Sequence, residues 1–230
     1  MGAPTAVADN AETTVAARPV AVELFTSQSC SSCPPAESLF ADLSNREDLV
    51  VIEWHVDYWD TLSYGRAGVW KDPYSSATHT ERQRAYNVQM RGMNSVYTPQ
   101  AVINGHRETT GSRRAAINAL IDAETTSVAA LEVSGQTVAI SDISASYDGT
   151  ANLIWISLLP NQETDVLGGE NKGRHLFSRN IAMQHQVLAL WTAGDAVISL
   201  PALEDGLNCA LLLQDTDTME ILAAQYCNTN

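Results

Sequence analysis

The sequence has few basic residues for its length of 230. Lys and Arg number 13 against 27 Asp and Glu, which gives a formal net charge of −14. Because nucleic acids and anionic lipids are bound through clusters of basic side chains, neither is expected as a partner. The chain also has no uninterrupted run of about 18 apolar residues, so we expect no membrane-spanning helix.

Cysteine is scarce as well, and the positions of the four cysteines argue against a zinc site. Cys30 and Cys33 have the Cys-x-x-Cys spacing, whereas Cys209 and Cys227 are 18 positions apart and lie far downstream. A structural zinc site of this type needs a second ligand pair at a matching spacing. We therefore predict no metal and no cofactor. The even number of cysteines is compatible with an oxidising compartment.

The most informative stretch is the segment 22–33, with the sequence VELFTSQSCSSC. An apolar strand runs into a polar turn that ends in Cys30 and Cys33, and a helical pattern follows. At the N-terminus of a helix, unpaired backbone amides and the helix dipole favour a thiolate. We predict that Cys30 attacks a disulfide and that Cys33, one turn later, resolves the mixed disulfide.

Two apolar patterns around this motif predict a βαβ unit. Residues 49–56 form a nearly continuous apolar run, as in a strand that is buried on both faces of a parallel sheet. Between the two predicted strands, residues 34–44 begin with two prolines, which fit the first turn of a helix. The apolar side chains of that segment have helical spacing and are Ala36, Leu39, Phe40 and Leu43.

The next segment predicts a helix and then a strand that opens with proline. The helix is expected to begin near Thr78, with Thr78 and Glu81 spaced as a capping box. A proline is allowed at the first residue of a strand, which is the position predicted for Pro99. Asn104 and Gly105 follow that strand and are a strong signal for a hairpin.

Beyond residue 126 the pattern changes to short alternating or β-branched segments, which predicts an antiparallel β-rich module over residues 127–230. Residues 168–174 have the glycine spacing of a phosphate loop but lack its Lys-Ser/Thr pair and a following helix, so we predict a long surface loop. Residues 1–18 have no helical or strand period and are predicted to be a flexible leader. The predicted strands of the module are 128–133, 138–143, 152–159, 187–190, 209–213 and 221–226.

The last two predicted strands leave the state of the downstream cysteines open. If their hairpin turns at residues 215–219, Cys209 faces Gln225 and Cys227 lies two residues further along the same face. Diagonal neighbours are roughly 7 Å apart, which is long for a disulfide unless a bulge or twist intervenes. Two buried free cysteines are the alternative to a structural disulfide.

Two of these motifs resemble the thioredoxin-like superfamily, and locally the glutaredoxins. Residues 22–33 are similar to the first strand and active site of a glutaredoxin, and residues 98–105 are similar to the segment with the cis-proline that faces the cysteines. The whole chain, including residues 55–59 and 169–171, further resembles a bacterial family of exported proteins with a thioredoxin-like domain.

The resemblance implies an α/β fold and an exported protein. It implies a thioredoxin-like domain at residues 19–126 with a helical insertion, followed by the β-rich, sandwich-like module at residues 127–230, and a periplasmic or secreted location. Ser31 and Ser32 depart from the usual residues between the cysteines. The Gly-Gly-Asp with which glutaredoxins contact glutathione is also missing, so the use of glutathione is not implied.

The resemblance also implies roles for individual residues. Pro99 is expected to be cis and to expose the backbone of Thr98 to an extended substrate. Asp57, at the carboxyl end of the second strand, is predicted to accept a proton from Cys33, with capping of the following turn as the alternative. Trp59 and Tyr97 are predicted to contact the substrate.

These observations favour a thiol–disulfide oxidoreductase that acts on a protein or small-molecule thiol or disulfide. One alternative is a copper-handling protein in which Cys30 and Cys33 hold Cu(I), with His55, Met90 or Met93 as further ligands. Another alternative is a binding module, in which the β-rich half recognises a partner and the thioredoxin-like half is a scaffold.

Overall fold

The computed structural model describes residues 19–124, 128–142 and 147–227. Within these residues the fold is mixed α/β, with an eight-stranded sheet, a three-stranded sheet and three α-helices. The predicted leader, residues 1–18, lies outside the described residues. The helices are α1 (Pro34–Leu43), α2 (Ala77–Arg91) and α3 (Arg114–Asp122). The strands are β1 (Val20–Thr26), β2 (Leu49–His55), β3 (Gln100–Ile103), β4 (Arg107–Thr110), β5 (Ala129–Ser134), β6 (Thr137–Asp142), β7 (Ala151–Asp165), β8 (His175–Trp191), β9 (Ala196–Ser199), β10 (Asn208–Asp215) and β11 (Ile221–Tyr226).

The eight-stranded sheet contains strands from both halves of the chain, in the order β11-β10-β7-β8-β2-β1-β3-β4. β1 and β2 are parallel, β3 and β4 extend one side in antiparallel fashion, and β7, β8, β10 and β11 form the other side. The two sides meet where Glu53 of β2 pairs in parallel with Ile181 of β8. The predicted domain boundary falls at residues 125–127, outside the described residues, and the strands before and after it share this sheet.

The predicted β1–α1–β2 unit is confirmed. β2 is buried along its whole length, and Pro34 and Pro35 occupy the first turn of α1, where their missing amides leave no acceptor unpaired. α1 and α3 cover one face of β1, β2 and β3 and bury the predicted apolar stripe. The core on this face includes Val22, Leu24, Leu39, Phe40, Val51, Ile103 and Ile117.

On the opposite face, a buried polar network ties α2 to the sheet. Arg82 Nε donates to Glu23 Oε1 at 2.7 Å, and Arg82 Nη2 donates to the Tyr86 hydroxyl at 2.7 Å. The Tyr86 hydroxyl donates in turn to Glu23 Oε2 at 2.5 Å, and Gln214 of β10 accepts from Arg82 Nη1 at 3.1 Å. Since Glu23 and Arg82 are both buried, each needs the other as its counter-charge.

The predicted capping box of α2 is wrong, whereas the hairpin signal is confirmed. Ser76 is extended (φ −146°, ψ 143°) and accepts a hydrogen bond from the amide of Thr78, so Thr78 lies inside the first turn. β3 and β4 form an antiparallel hairpin that turns at Asn104 (φ 42°) and Gly105 (φ 73°). A Cβ atom on Gly105 would lie 2.0 Å from the carbonyl oxygen of Met219, so only glycine fits there.

The β-rich part contains the predicted strands, but β7 and β8 are longer than predicted and β9 was missed. β7 and β8 have 15 and 17 residues and are connected by residues 166–174 (the β7–β8 loop). β5, β6 and β9 form the three-stranded sheet, which packs against the large sheet. The core between the two sheets includes Leu131, Val138, Ile140, Leu153, Trp155 and Leu211.

Among the described helices, none is long and apolar enough to cross a membrane.

Candidate functional site

Cys30 and Cys33 are joined by a disulfide at the junction between β1 and α1. Their Cα atoms are 5.4 Å apart, and neither residue has exposed surface. Cys33 is the N-cap residue of α1, and its carbonyl accepts the amides of Ala36 and Glu37. The pair therefore lies at the N-terminus of a helix, as the sequence predicts.

The turn that carries the cysteines is held by the β7–β8 loop. Asn171 is fully buried, and its Nδ2 donates to the carbonyl oxygens of Gln28 and Cys30 at 2.9 and 2.8 Å. Glu170 accepts a hydrogen bond from the amide of Ser31 at 2.8 Å. The predicted loop is present and most of its residues are exposed, but the sequence did not indicate that it supplies the partners of three backbone groups around the disulfide.

Two glycines allow the β7–β8 loop to approach this closely. A Cβ atom on Gly168 would lie 2.3 Å from the carbonyl oxygen of Val69, which is closer than Cβ atoms come to backbone. Gly169 has a φ of +68°, where residues with a side chain are disfavoured, and a Cβ atom there would lie 2.9 Å from Ser29 Oγ. The paired glycines are thus needed for packing and do not form a phosphate loop.

The segment between β2 and α2 supports the same turn from another side. Ser29 Oγ donates to the carbonyl of Trp70 at 3.0 Å, and Trp70 Nε1 donates to Gln28 Oε1 at 3.1 Å. The amide of Gln28 donates to Asp72 Oδ2 at 2.8 Å. Trp70 and Asp72 of this segment therefore form part of the wall of the site.

Asp72 also forms a buried ion pair with His55. The Nδ1 atom of His55 lies 2.7 Å from Asp72 Oδ2, and both side chains are fully enclosed. Burial opposes the charged form of His55, but the Asp72 carboxylate outweighs burial and raises the pKa of His55 to about 10. For Asp72, too, burial disfavours charge, and the His55 cation outweighs it and holds the pKa of Asp72 below its usual range. The turn that carries the cysteines is thus hydrogen-bonded, through the amide of Gln28, to a buried charged pair.

Two buried glutamates lie beside this pair. Glu53 Oε2 is 3.9 Å from His55 Nε2, and Glu37 accepts a hydrogen bond from Thr26 Oγ1 at 2.7 Å. Burial, reinforced by the neighbouring Glu53 carboxylate, raises the pKa of Glu37 to about 8. Burial also raises the pKa of Glu53. Because Glu37 follows Cys33 by four positions, a carboxyl group that titrates near neutral pH lies on the Cys33 side of α1.

The peptide bond between Thr98 and Pro99 is cis, as the sequence predicts. A Cβ atom on Gly111 would lie 3.1 Å from Pro99 Cβ and 3.3 Å from Ala36 Cβ, so Pro99 and the first turn of α1 flank the same glycine. Trp59 Nε1 donates to Thr98 Oγ1 at 2.9 Å. Pro99 therefore lies near the first turn of α1, which Cys33 caps, and Trp59 contacts the residue before Pro99.

An open groove begins at Ser31, the exposed residue that follows Cys30. Tyr64 in its wall stacks on Trp59, with ring centroids 6.4 Å and planes 18° apart, which connects the groove to Thr98. The groove carries both signs of charge. Its lining residues are Ser31, Tyr64, Arg66, Ala67, Gly169, Glu170 and Lys172.

Asp57 and Tyr97 make their contacts with other parts of the chain. Asp57 Oδ1 accepts from Thr80 Oγ1 at 2.6 Å, and the Asp57 amide donates to the same hydroxyl at 3.2 Å, so both contacts join Asp57 to α2. The Tyr97 hydroxyl hydrogen-bonds to Glu108, and the Arg91 guanidinium lies 5.4 Å from the Tyr97 ring centroid. Catalysis by Asp57 and substrate contact by Tyr97 stay predictions.

The further ligands considered for Cu(I) have other partners. His55 is paired with Asp72, Met90 packs against the core around Trp54, and Met93 is 46% exposed. In residues 19–124, 128–142 and 147–227, no group of three or more His, Cys, Asp or Glu side chains is arranged to hold a metal ion.

Cys209 and Cys227 form a second disulfide, with Cα atoms 5.2 Å apart. The predicted register of this hairpin is wrong, because Cys209 lies opposite Cys227 rather than opposite Gln225, and the Cys227 amide donates to the Cys209 carbonyl at 2.8 Å. The register shifts between Leu213 and Gln214, and such a bulge adds a residue that the alternation of the sequence does not reveal.

Four residues of the site were missed at the level of the sequence: Glu37, Asp72, Glu170 and Asn171. Glu37 had a usable signal, since a residue four positions after Cys33 lies on the same face of the helix. The other three contact the cysteine turn across 44, 139 and 141 positions. Glu170 and Asn171 belong to the stretch 169–171 that the family resemblance includes, but no local pattern indicates that they contact this turn.

One family model and two solved structures are similar to the chain. The family described as "Protein of unknown function (DUF1223)" matches residues 21–214. The crystal structure of protein AGR_C_4864 from Agrobacterium tumefaciens is similar at 28% identity and a TM-score of 0.75, over 92% of this chain and 95% of that chain. HBP35 of Porphyromonas gingivalis, at 13% identity and a TM-score of 0.62, shares the fold over 91% of this chain and 74% of its own. No curated protein matches the chain.

Proposed function

The chain belongs to the DUF1223 family, and we propose that it is a thiol–disulfide oxidoreductase that uses Cys30 and Cys33. The observation that carries the proposal is the disulfide between the end of β1 and the N-terminus of α1. Unpaired amides and the helix dipole favour a thiolate at that position. The two-residue spacing lets the second cysteine close an internal disulfide after the first has reacted.

The proposed reaction transfers two electrons between the protein and a substrate disulfide. The Cys30 thiolate attacks one substrate sulfur, so that an Sγ–S bond forms while the substrate S–S bond breaks and the departing sulfur takes up a proton. The Cys33 thiolate then attacks Cys30 Sγ, which forms the Cys30–Cys33 disulfide and releases the second substrate thiol. The reverse sequence donates a disulfide to a substrate dithiol.

Glu37 is the proposed proton acceptor for Cys33. With a pKa of about 8, this carboxyl group can take and return a proton near neutral pH. The hydrogen bond from Thr26 fixes the orientation of the carboxyl group. Asp57, whose carboxylate accepts a hydrogen bond from Thr80, stays the alternative proton acceptor.

The substrate is proposed to enter along the groove that begins at Ser31. Both cysteines lack exposed surface in the disulfide state, whereas Ser31 and Ser32 between them are exposed. A substrate sulfur therefore reaches Cys30 only after a small movement of the surrounding segments. In this proposal, the groove directs the substrate toward Trp59 and the backbone of Thr98.

A thioredoxin-like domain and an envelope location are parts of the same proposal. The order β1–α1–β2 followed by β3–β4–α3, with Pro99 packed beside α1, supports such a domain at residues 19–126, followed by the β-rich module. Two disulfides are compatible with an extracellular or periplasmic protein, because both compartments are oxidising.

The test is exchange with a model disulfide, measured on the full chain. We expect Cys30→Ser to abolish exchange, and Cys33→Ser to accumulate a mixed disulfide that mass spectrometry detects. The matched control replaces Cys209 and Cys227 with alanine together, which removes the other disulfide and leaves exchange intact. Wild-type activity in Cys30→Ser would overturn the proposal.

A further inference from the structure

Glu170 brings a negative charge to the redox turn from a distant part of the chain. Its Oε2 accepts the amide of Ser31 at 2.8 Å across 139 positions. Ser31 follows Cys30 directly, so this amide nitrogen is only four covalent bonds from Cys30 Sγ. The hydrogen-bond partner of the Glu170 carboxylate at the turn is therefore a backbone amide next to the reactive sulfur.

The position of Glu170 is fixed although its side chain is exposed. The next residue, Asn171, is fully buried and donates to the carbonyl oxygen of Cys30, and the preceding Gly169 packs against Ser29. The backbone on both sides of Glu170 is thus attached to the redox turn. The side chain of an ordinary surface glutamate samples many conformations, whereas these backbone contacts keep the Glu170 carboxylate beside the Ser31 amide.

The two positively charged side chains of the groove are not hydrogen-bonded to the turn that carries the cysteines. Arg66 and Lys172 line the same groove, and Lys172 Nζ lies 3.5 Å from the carbonyl oxygen of Arg66. Neither cation hydrogen-bonds to the cysteine turn, whereas Glu170 does. Of the three charged residues that line the groove, the one that hydrogen-bonds to the cysteine turn is therefore negative.

We propose that Glu170 is a positioning residue that sets the redox equilibrium of the Cys30–Cys33 pair, an inference that rests on the proposed function. The carboxylate opposes a thiolate on Cys30 and also uses a backbone donor that is then not free to stabilise that thiolate. Because only the dithiol state contains the thiolate, Glu170 shifts the equilibrium toward the disulfide. The pair is therefore more strongly reducing than the N-terminus of α1 alone would make it.

Glu170→Gln tests the charge, because glutamine retains the size and an acceptor oxygen for Ser31. The equilibrium constant of the pair is measured in dithiothreitol buffers by alkylation and mass spectrometry. One charge that is hydrogen-bonded to the amide next to Cys30, in a partly solvated site, predicts a shift toward the dithiol of about three- to tenfold. That shift equals about 15–30 mV for a two-electron couple. The shift should shrink at 1 M salt, which screens exposed charges.

Two further variants separate the charge from other effects. Glu132→Gln removes the same charge from an exposed position of β5 and should leave the equilibrium unchanged. Glu170→Ala removes the hydrogen bond as well as the charge. Equal constants for wild type and Glu170→Gln overturn the inference, and so does a shift that is seen only with Glu170→Ala.

The exchange assay distinguishes this inference from the proposed function. If the wild type exchanges disulfides and Glu170→Gln has the same reduction potential, the proposed function stands and the inference about Glu170 is overturned. A shifted equilibrium in a protein that exchanges no disulfide supports the effect of Glu170 and overturns the oxidoreductase.

Discussion

Asn171 Nδ2 lies 2.8 Å from the carbonyl oxygen of Cys30, although 141 positions separate the two residues. The contact joins the β7–β8 loop, which belongs to the β-rich half, to the turn at the end of β1. The environment of the cysteine turn is therefore built from both halves of the chain. The contact of Asn171 with the Cys30 carbonyl also explains why Gly168 and Gly169 precede Asn171, since only glycine allows the loop to approach Val69 and Ser29 so closely.

Asn171→Ala is expected to destabilise the protein by about 1–3 kcal/mol, because it leaves the buried carbonyl oxygen of Gln28 without its donor. The carbonyl oxygen of Cys30 loses one of two donors and keeps the amide of Cys33 at 3.1 Å. Urea denaturation measures the free energy of unfolding. Asn161→Ala, at an exposed position of β7, is the matched control and should change stability by less than about 0.5 kcal/mol. An Asn171→Ala variant as stable as the control would contradict a stabilising role of this side chain at the Gln28 carbonyl.

Glu37 predicts a pH dependence of stability. The pKa of its carboxyl group is about 8 in the folded protein against 4.5 as the reference value for the unfolded chain, so the folded state binds more protons between these values. Stability therefore falls as the pH rises from 4.5 to 8, by up to about 1.4 kcal/mol per pH unit for this group. Glu37→Gln stays neutral and should flatten this decline, while Glu53, whose pKa is also raised, retains part of it.

The measurement is the free energy of unfolding at several pH values between 5 and 8. Glu47→Gln serves as the control, because Glu47 is exposed on the connection between α1 and β2. The control should reproduce the wild-type slope. The same slope in Glu37→Gln would show that the carboxyl group is not protonated in the folded state at neutral pH.

The sequence predicts the elements whose signals are local. Pro34 and Pro35 mark the first turn of α1, and Asn104 and Gly105 mark the hairpin, because each signal depends on residues within a few positions. The position of the cysteine pair at the start of α1 follows from the same local patterns. These features account for β1, α1, β2 and the surroundings of Pro99.

Contacts between distant segments and irregular strands could not be predicted in this way. Asp72 and Asn171 carry no pattern that assigns them to the cysteine turn. The bulge after Leu213 shifts the register of β10 and β11, and simple alternation then pairs Cys209 with the wrong residue. β8 was mostly missed because its burial does not alternate regularly along its 17 residues.

Arg82→Met is expected to lower the free energy of unfolding by about 3–5 kcal/mol, because it leaves the Glu23 carboxylate buried without a counter-charge. Arg84→Met on the same helix is the control, since Arg84 has only a long contact to the carbonyl of Asn94. The double variant Glu23→Gln with Arg82→Met removes both charges and should recover part of the loss. Additive effects of the two substitutions would contradict a direct pair.

The second disulfide predicts a stability effect that is independent of exchange activity. Cys209 and Cys227 are 18 positions apart, and a loop of that size contributes roughly 3 kcal/mol when its closure restricts the unfolded chain. Replacing both with alanine should therefore lower the thermal midpoint by roughly 6–12 °C in a chain of this length. Exchange at Cys30 should be unchanged, because this disulfide joins β10 to the end of β11. In the described residues, neither cysteine of this bridge is hydrogen-bonded to the turn that carries Cys30 and Cys33. An unchanged midpoint would contradict a stabilising bridge, and lost exchange would show that the β-rich half supports the redox site through this disulfide.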